Sequence, residues 1–338
     1  MSLNRTIGEV NNTRYTVRQK GRKTSGDKIV SVWPVSKSLI GILREGNKMN
    51  MLNMAISTAK EAIEKAGINW GVEKRDLFLN DSSKVEEAKA IVRSDNGSVL
   101  GIVGNRYHVI QNAEAFSPLD EFVDSGEVLY KSANSYKGGR VVSMELSLTR
   151  EEKHTVRVGD DIETVIRVIT SHDGSEKFSA RFFMNRLVCT NGMVRPNTCF
   201  AFNVKHTASS LLKIENGFEL INVARVFGRE MAENARRMNE TLINSRTQRE
   251  YVLRVLGVKD GYMETRTENK VDEILALGQR GLGNTGRTLW DAYNVVTEYA
   301  DHRIATRGEN DRLTSSVLGA GLQLKERAYS VAQELVHV

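Results

Sequence analysis

The sequence predicts an α+β fold: an antiparallel, hairpin-rich sheet with a packed helix, followed by a helical C-terminal region. Three observations carry this reading. Apolar residues alternate in short runs between residues 85 and 205, and those runs are joined by Gly-containing turns. Only three prolines interrupt 338 residues, against 27 glycines, which favours regular elements joined by glycine turns. After Ser210 the period changes to 3.6, with long charged segments bearing one apolar face.

Taken in order, residues 1 to 30 are polar and without clear period, and read as a basic flexible arm. The stretch "MLNMAISTAKEAIEKAGINW" follows. Its Ala55, Ile56, Ala59, Ala62, Ile63 and Ala66 recur at threes and fours, so a helix is expected, stopped at Gly67. "AKAIVRSDNGSVLGIVGNRYHVIQ" holds two apolar runs about Asp95-Asn96-Gly97, a tight-turn signal, and a second turn at Gly104-Asn105-Arg106 leads into an expected strand "YHVIQ". "NAEAFSPLDEFVDSG" puts Ala115, Phe116, Leu119 and Phe122 on one helical face. Two further hairpins are expected, turning at Lys137-Gly138-Gly139 and at His172-Asp173-Gly174. Three helical segments close the chain, one of them "GRTLWDAYNVVTEYADHR", for which Asn284 or Thr285 is the expected cap. The organisation is thus an arm over 1–30, a sheet domain over 31–208 and a helical region over 209–338.

Composition narrows the function classes. No apolar run approaches the roughly 20 residues needed to cross a bilayer, and "MSLNRTIGEVNNTRYTV" lacks a signal core, so a cytoplasmic protein is expected. Cys189 and Cys199 are too few for a disulfide framework and lack zinc spacing; no metal and no cofactor are expected. The net charge is +6, and residues 1–50 carry ten basic and three acidic side chains, so the remainder sums to about −1. The basic excess belongs to the arm and is densest in "RQKGRK", where Arg18, Lys20, Arg22 and Lys23 are candidate phosphate contacts; a solvated, solubilising tail is the competing reading.

Within the sheet region, "SHDGSEKFSARFFMNRLVCTNG" is densest in functional side chains. His172-Asp173 is the pair that binds metal in some phosphohydrolases, but a turn explains it without further ligands. Arg181 and Arg186 differ by an odd number, so a regular strand places them on opposite faces, as it does Phe182 and Phe183. A basic and aromatic face suits single-stranded nucleic acid, and Arg106, Tyr107, Lys137, Arg140, Arg181 and Arg186 are the candidate contacts; an ordinary amphipathic strand fits as well. Cys189 is a candidate nucleophile with His172 or His206 as base. The glycines from Gly278 to Gly286 precede a helix and could cradle phosphate, yet lack P-loop spacing. An enzyme reading would gather His172, Asp173, Asn191, Asp291 and His302 in the fold.

"VLGIVGNRYHVIQNAEAFSPLDEF", "KGGRVVSMELSL", "SHDGS", "RLVCTNG" and "GRTLWDAYNVVTEYADH", in this order, resemble the phage/plasmid-like proteins, the family of domain of unknown function 932, over roughly residues 35 to 305. The family often continues its cysteine as Cys-x-Asn-Thr, where this chain has Cys189-Thr190-Asn191-Gly192. The order of hairpin, "Gly-x-x-Tyr-x-Val" segment and helix also resembles phage single-strand annealing proteins. That resemblance implies a single-stranded-DNA-binding homo-oligomer in annealing, recombination or replication, with no membrane role and with phage or host replication or recombination proteins as further partners. An enzyme on nucleic acid or nucleotides, or a phage protein that binds a host factor, are the alternatives.

Overall fold

The structure is a computed structural model. It describes residues 4–10, 13–18, 56–149, 153–189, 191–196, 199–204, 217–258, 264–278, 284 and 286–336. The chain divides into two compact units, Met1–Ile56 and Ser57–Val338. The first unit contains an antiparallel pair, β1 (Asn4–Val10) and β2 (Thr13–Arg18). The pair lies within the tract expected to form a basic arm, of which 4–10 and 13–18 are described. Lys20, Arg22 and Lys23 lie outside the described residues.

The second unit opens with α1 (Ala59–Lys65), capped by Thr58, whose side chain accepts from Glu61 N. Gly67, at φ +65°, ends the turn in a conformation that glycine adopts without strain. A three-stranded antiparallel meander follows: β3 (Val72–Phe78), β4 (Lys84–Arg93) and β5 (Val99–Gly104). β3 was not expected, because "VEKRDLF" is charged and mostly exposed. The β4–β5 turn falls at Asp95-Asn96-Gly97, with Gly97 at φ +72°. "YHVIQ" is not a strand; Tyr107–Gln111 runs as irregular chain into α2 (Asn112–Phe116). The expected single helix here is broken. A 3₁₀ turn at Ser117–Leu119 separates α2 from α3 (Asp120–Asp124), since Pro118 supplies no N–H to continue the ladder.

Among the described residues the large sheet has seven strands. β6 (Val128–Tyr136), β7 (Val141–Leu148), β9 (Asp160–Ser171), β10 (Phe178–Arg186) and β11 (Gly192–Met193) follow one another across it. β8 (Lys153–Arg157) pairs with β9, and β12 (Cys199–Val204) pairs with β10. Both predicted hairpins form, at Lys137–Gly139 between β6 and β7 and at His172–Gly174 between β9 and β10. Strand β9 is central and reads as a near-continuous buried run, as a strand covered on both faces must.

Helices supply that cover: α4 (Gly217–Glu240), α5 (Ser245–Leu256), α6 (Thr265–Leu277), α7 (Leu289–Glu298), α8 (Glu309–Leu318) and α9 (Ala320–Val336). Phe182 meets Phe227 of α4, ring centroids 5.7 Å apart, on one face of the sheet. On the other face Val165, Phe183 and Val194 pack with Leu322 of α9, and Tyr136, Val141 and Ile169 with Val317 and Leu318 of α8. Phe182 and Phe183 therefore point to opposite faces, as strand parity requires. Sheet and C-terminal helices share one core inside Ser57–Val338. No helix among the described residues is long and apolar enough to cross a membrane.

Candidate functional site

Two polar regions lie within the second unit. The first gathers at the junction of the meander with the β9–β10 turn. His172 is 1% exposed. Its Nε2 lies 2.9 Å from Asn112 Oδ1, its backbone N–H donates to Arg140 O at 2.7 Å, and its ring meets Trp70 edge-on at 5.3 Å. Asn112 Nδ2 in turn donates to Ile68 O at 2.7 Å. Asp173 Oδ1 accepts from Ser175 N at 2.9 Å, which is turn chemistry. His172 and Asp173 thus tie segments together. Among the described residues no group of three or more His, Cys, Asp or Glu is arranged to hold a metal.

Around this tie sit the basic candidates. Tyr107 Oη donates to Ser171 O at 2.7 Å, and burial, with Asp173 nearby, pushes its phenol well up. Arg106, next to it, is exposed. Lys137 and Arg140 are exposed on the β6–β7 turn. That turn holds Lys137 at φ +51°, and its Gly139 packs against Trp70, over which Arg93 lies at 4.3 Å. Arg106, Lys137 and Arg140 make no ion pair among the described residues. The Tyr107–Ser171 and His172–Arg140 bonds hold the three at one end of the unit.

The other two sheet arginines are placed differently. Arg181 pairs with Glu176. Arg186 is 0% exposed and grips Asp160 with Nε and Nη2, both at 2.6 Å. A buried, doubly bonded guanidinium cannot meet a strand of nucleic acid, so Arg186 is withdrawn as a phosphate contact. Arg18 ends β2 in the other unit.

Arg186 belongs to the second region. Trp290 Nε1 donates to Asp160 Oδ2 at 2.8 Å, and Arg157 reaches both Asp160 (3.5 Å) and Asp291 (2.6 Å). Arg186 Nη1 donates to Asn284 Oδ1 at 3.1 Å and lies 3.6 Å from Cys189 Sγ. Asp291 is the N3 residue of α7, in a capping box with Thr288. Thr288 is therefore the cap rather than Asn284 or Thr285. Asp291 Oδ2 also accepts from Arg287 N and Thr288 N, so these two N–H groups at the helix start are taken by its own carboxylate, while Gly281 and Gly283 of the expected phosphate cradle lie outside the described residues.

Beyond α7 the helix widens into a π-turn, Tyr299–Arg303, a rare form that re-aims side chains. Asp301 Oδ2 accepts from Gly192 N at 2.8 Å, and Oδ1 from Lys325 Nζ at 2.6 Å and from Ser316 Oγ. His302 Nε2 lies 3.0 Å from Asn191 Oδ1. The "RLVCTNG" and "TEYADH" motifs are thus clasped together. Burial pushes the Cys189 thiol up, and Arg186 beside it pulls the other way.

Of the five enzyme candidates, Asn191 and His302 meet, Asp291 caps a helix, and His172 and Asp173 stand at the other region. They form no single catalytic cluster. His172 is engaged with Asn112 and is no base for Cys189, and His206 lies outside the described residues. Asp160, Arg157, Asp301 and Lys325 were missed; Asp160 follows Gly159 in a turn, and nothing local in the sequence marks it.

The model of one family, the domain of unknown function DUF932, matches residues 99–317. The chain belongs to the DUF932 family. No curated protein and no solved structure matches it. The DUF932 match takes in both polar regions from Arg106 to His302 and leaves out the basic N-terminal tract, Trp70 and Arg93.

Proposed function

We propose that this DUF932 protein binds single-stranded nucleic acid and acts in the annealing, recombination or replication of phage or plasmid DNA, in the host cytoplasm and as a homo-oligomer. One observation carries the reading. Arg106, Lys137 and Arg140 are exposed and free of ion pairs among the described residues, and are held together at one end by a buried tie. Cations that are not neutralised by the protein are those that release counterions from a phosphate backbone. The half-buried Tyr107 adds an aromatic face at the same end, which suits unstacked bases better than a duplex. The order of meander and helix, β3–β5 followed by α2–α3, supports the analogy to annealing proteins at the level of fold alone.

The test is fluorescence anisotropy of a labelled single-stranded oligonucleotide, with duplex for comparison, across a salt series. The protein binds the single strand more tightly. The triple variant Arg106→Ala, Lys137→Ala, Arg140→Ala lowers the slope of log K against log salt by about 2, the share of three phosphate contacts on a single strand. Equal binding by the triple variant, or none by the parent at low salt, overturns the reading.

A further inference from the structure

The β6–β7 turn holds a lysine in a conformation that its side chain disfavours. Lys137 sits at φ +51°, followed by Gly138 at +68° and Gly139 at +96°. Among the described residues only Ser82 and Lys137 combine a side chain with positive φ. Glycine takes this conformation without strain. The Lys137 side chain is exposed and makes no ion pair among the described residues, so nothing described within the chain offsets the strain. The turn is also backed by a fixed donor. A Cβ added to Gly139 would stand 3.3 Å from Trp70 Cζ2 and 3.5 Å from Arg93 Nη1. Arg93 stacks on Trp70 at 4.3 Å and spends Nε and Nη2 on Asp95, at 3.0 and 2.6 Å. Its Nη1 makes no hydrogen bond among the described residues, and that is the atom which meets the turn. Consecutive Cα atoms are about 3.8 Å apart, so the side chains of Arg140 and Lys137, one and two residues from Gly139, start within reach of the same point.

Charge selects the ligand. Asp95 neutralises Arg93, which leaves Arg93 as a rigid donor, and Asp173 at the neighbouring turn has Oδ1 taken by Ser175 N. Lys137 and Arg140 then bring two exposed cations without ion pairs among the described residues. We propose that the β6–β7 turn is a phosphate subsite, in which Arg93 Nη1 and the side chains of Lys137 and Arg140 close on one phosphate group. The subsite deepens the nucleic-acid reading and rests on it for the source of that group, a phosphodiester of the bound strand. It adds Arg93 to the contacts. It also gives Lys137 a reason to occupy a glycine conformation, and Gly139 a reason to leave room for Trp70 and Arg93 against the backbone.

The experiment is NMR of the full chain, following the Gly138 and Gly139 amides. A single-stranded oligonucleotide is titrated in one arm and inorganic phosphate in the other, each against sodium chloride of equal ionic strength. Both ligands are expected to move the two amides. Arg93→Gln weakens binding about 3- to 10-fold, the value of one hydrogen bond. Lys137→Gly weakens it too while melting no lower than the parent, and serves as the second variant should Arg93→Gln unfold. Because the two residues grip one group, their effects on affinity are non-additive, whereas Arg106→Ala adds independently. Movement with the oligonucleotide alone supports the subsite with the strand as its source. Movement with phosphate alone supports it with free phosphate as the source and overturns the nucleic-acid reading. An oligonucleotide that binds without moving these amides, unchanged affinity in a folded Arg93→Gln, or strict additivity of Arg93→Gln with Lys137→Gly overturns the subsite and leaves the nucleic-acid reading standing. No response to either ligand overturns both.

Discussion

At the scale of the residue, the Arg186–Asp160–Trp290 contact has the largest energetic stake. Asp160 satisfies a guanidinium that water does not reach, so Asp160→Asn leaves a buried cation with a neutral partner. Urea unfolding at pH 7 should show a loss of about 3–5 kcal/mol. Trp290→Phe keeps most of the volume and removes only the indole N–H bond to the carboxylate, at a cost of about 1.5–3 kcal/mol. Cys189 gives a pH-dependent readout. Its thiol is raised by burial, so near pH 8 the folded protein holds less thiolate than the unfolded chain. Alkylation of Cys189, followed by peptide mass spectrometry, should be slower in the native protein than in denaturant, and the gap should close as pH rises past the native value. At this scale the sequence was a partial guide. Strand parity separated Phe182 from Phe183, and turn chemistry accounted for Asp173. Arg186 read as a phosphate contact because its partner Asp160 lies 26 residues upstream, and long-range pairing leaves no local trace.

At the scale of the element, the fit between α4 and β9 is tight enough to reverse a general rule. Glycine to alanine inside a helix usually stabilises. At Gly228 an added Cβ would lie 2.1 Å from Thr164 Oγ1 and 3.3 Å from His154 Nε2. Gly228→Ala should therefore destabilise by about 1–3 kcal/mol, and adding Thr164→Ala should recover part of the loss, measured as a double-mutant cycle by thermal melting. Hairpins were the most legible elements, since Asp95-Asn96-Gly97, Lys137-Gly138-Gly139 and His172-Asp173-Gly174 each supply the positive φ that their turns need. Helix interruptions were less so. Pro118 and Gly319 break the predicted helices, and the cap of α7 moved to Thr288 because only Thr288 has an acidic residue three positions on to complete the box. Strand β3 went unseen because its residues are charged and its partner β4 supplies the apolar side.

At the scale of the whole second unit, the sheet is closed on one face by α4 and on the other by α8 and α9. A fragment spanning 57–208 would lose both covers at once. It should bind a hydrophobic dye strongly and lack a cooperative melt, whereas Ser57–Val338 should unfold in a single transition. This interlock was outside what periodicity could supply, because an amphipathic helix declares that it has a partner without naming it. The DUF932 match follows the same logic, crossing from strand β5 to helix α8 without regard to the change in secondary structure.

The double cover also sets a timetable for synthesis. The last strand of the sheet ends at Val204, and the residues that seal its second face, Val317 to Leu322, leave the ribosome more than a hundred residues later. At typical elongation rates that interval is roughly 6 to 20 seconds. Throughout it, strands such as β9 have their second apolar face bare, although α4 is already available to cover the first. The nascent chain is then a natural client for holdase chaperones, and slowing translation after residue 204 should lower the soluble yield.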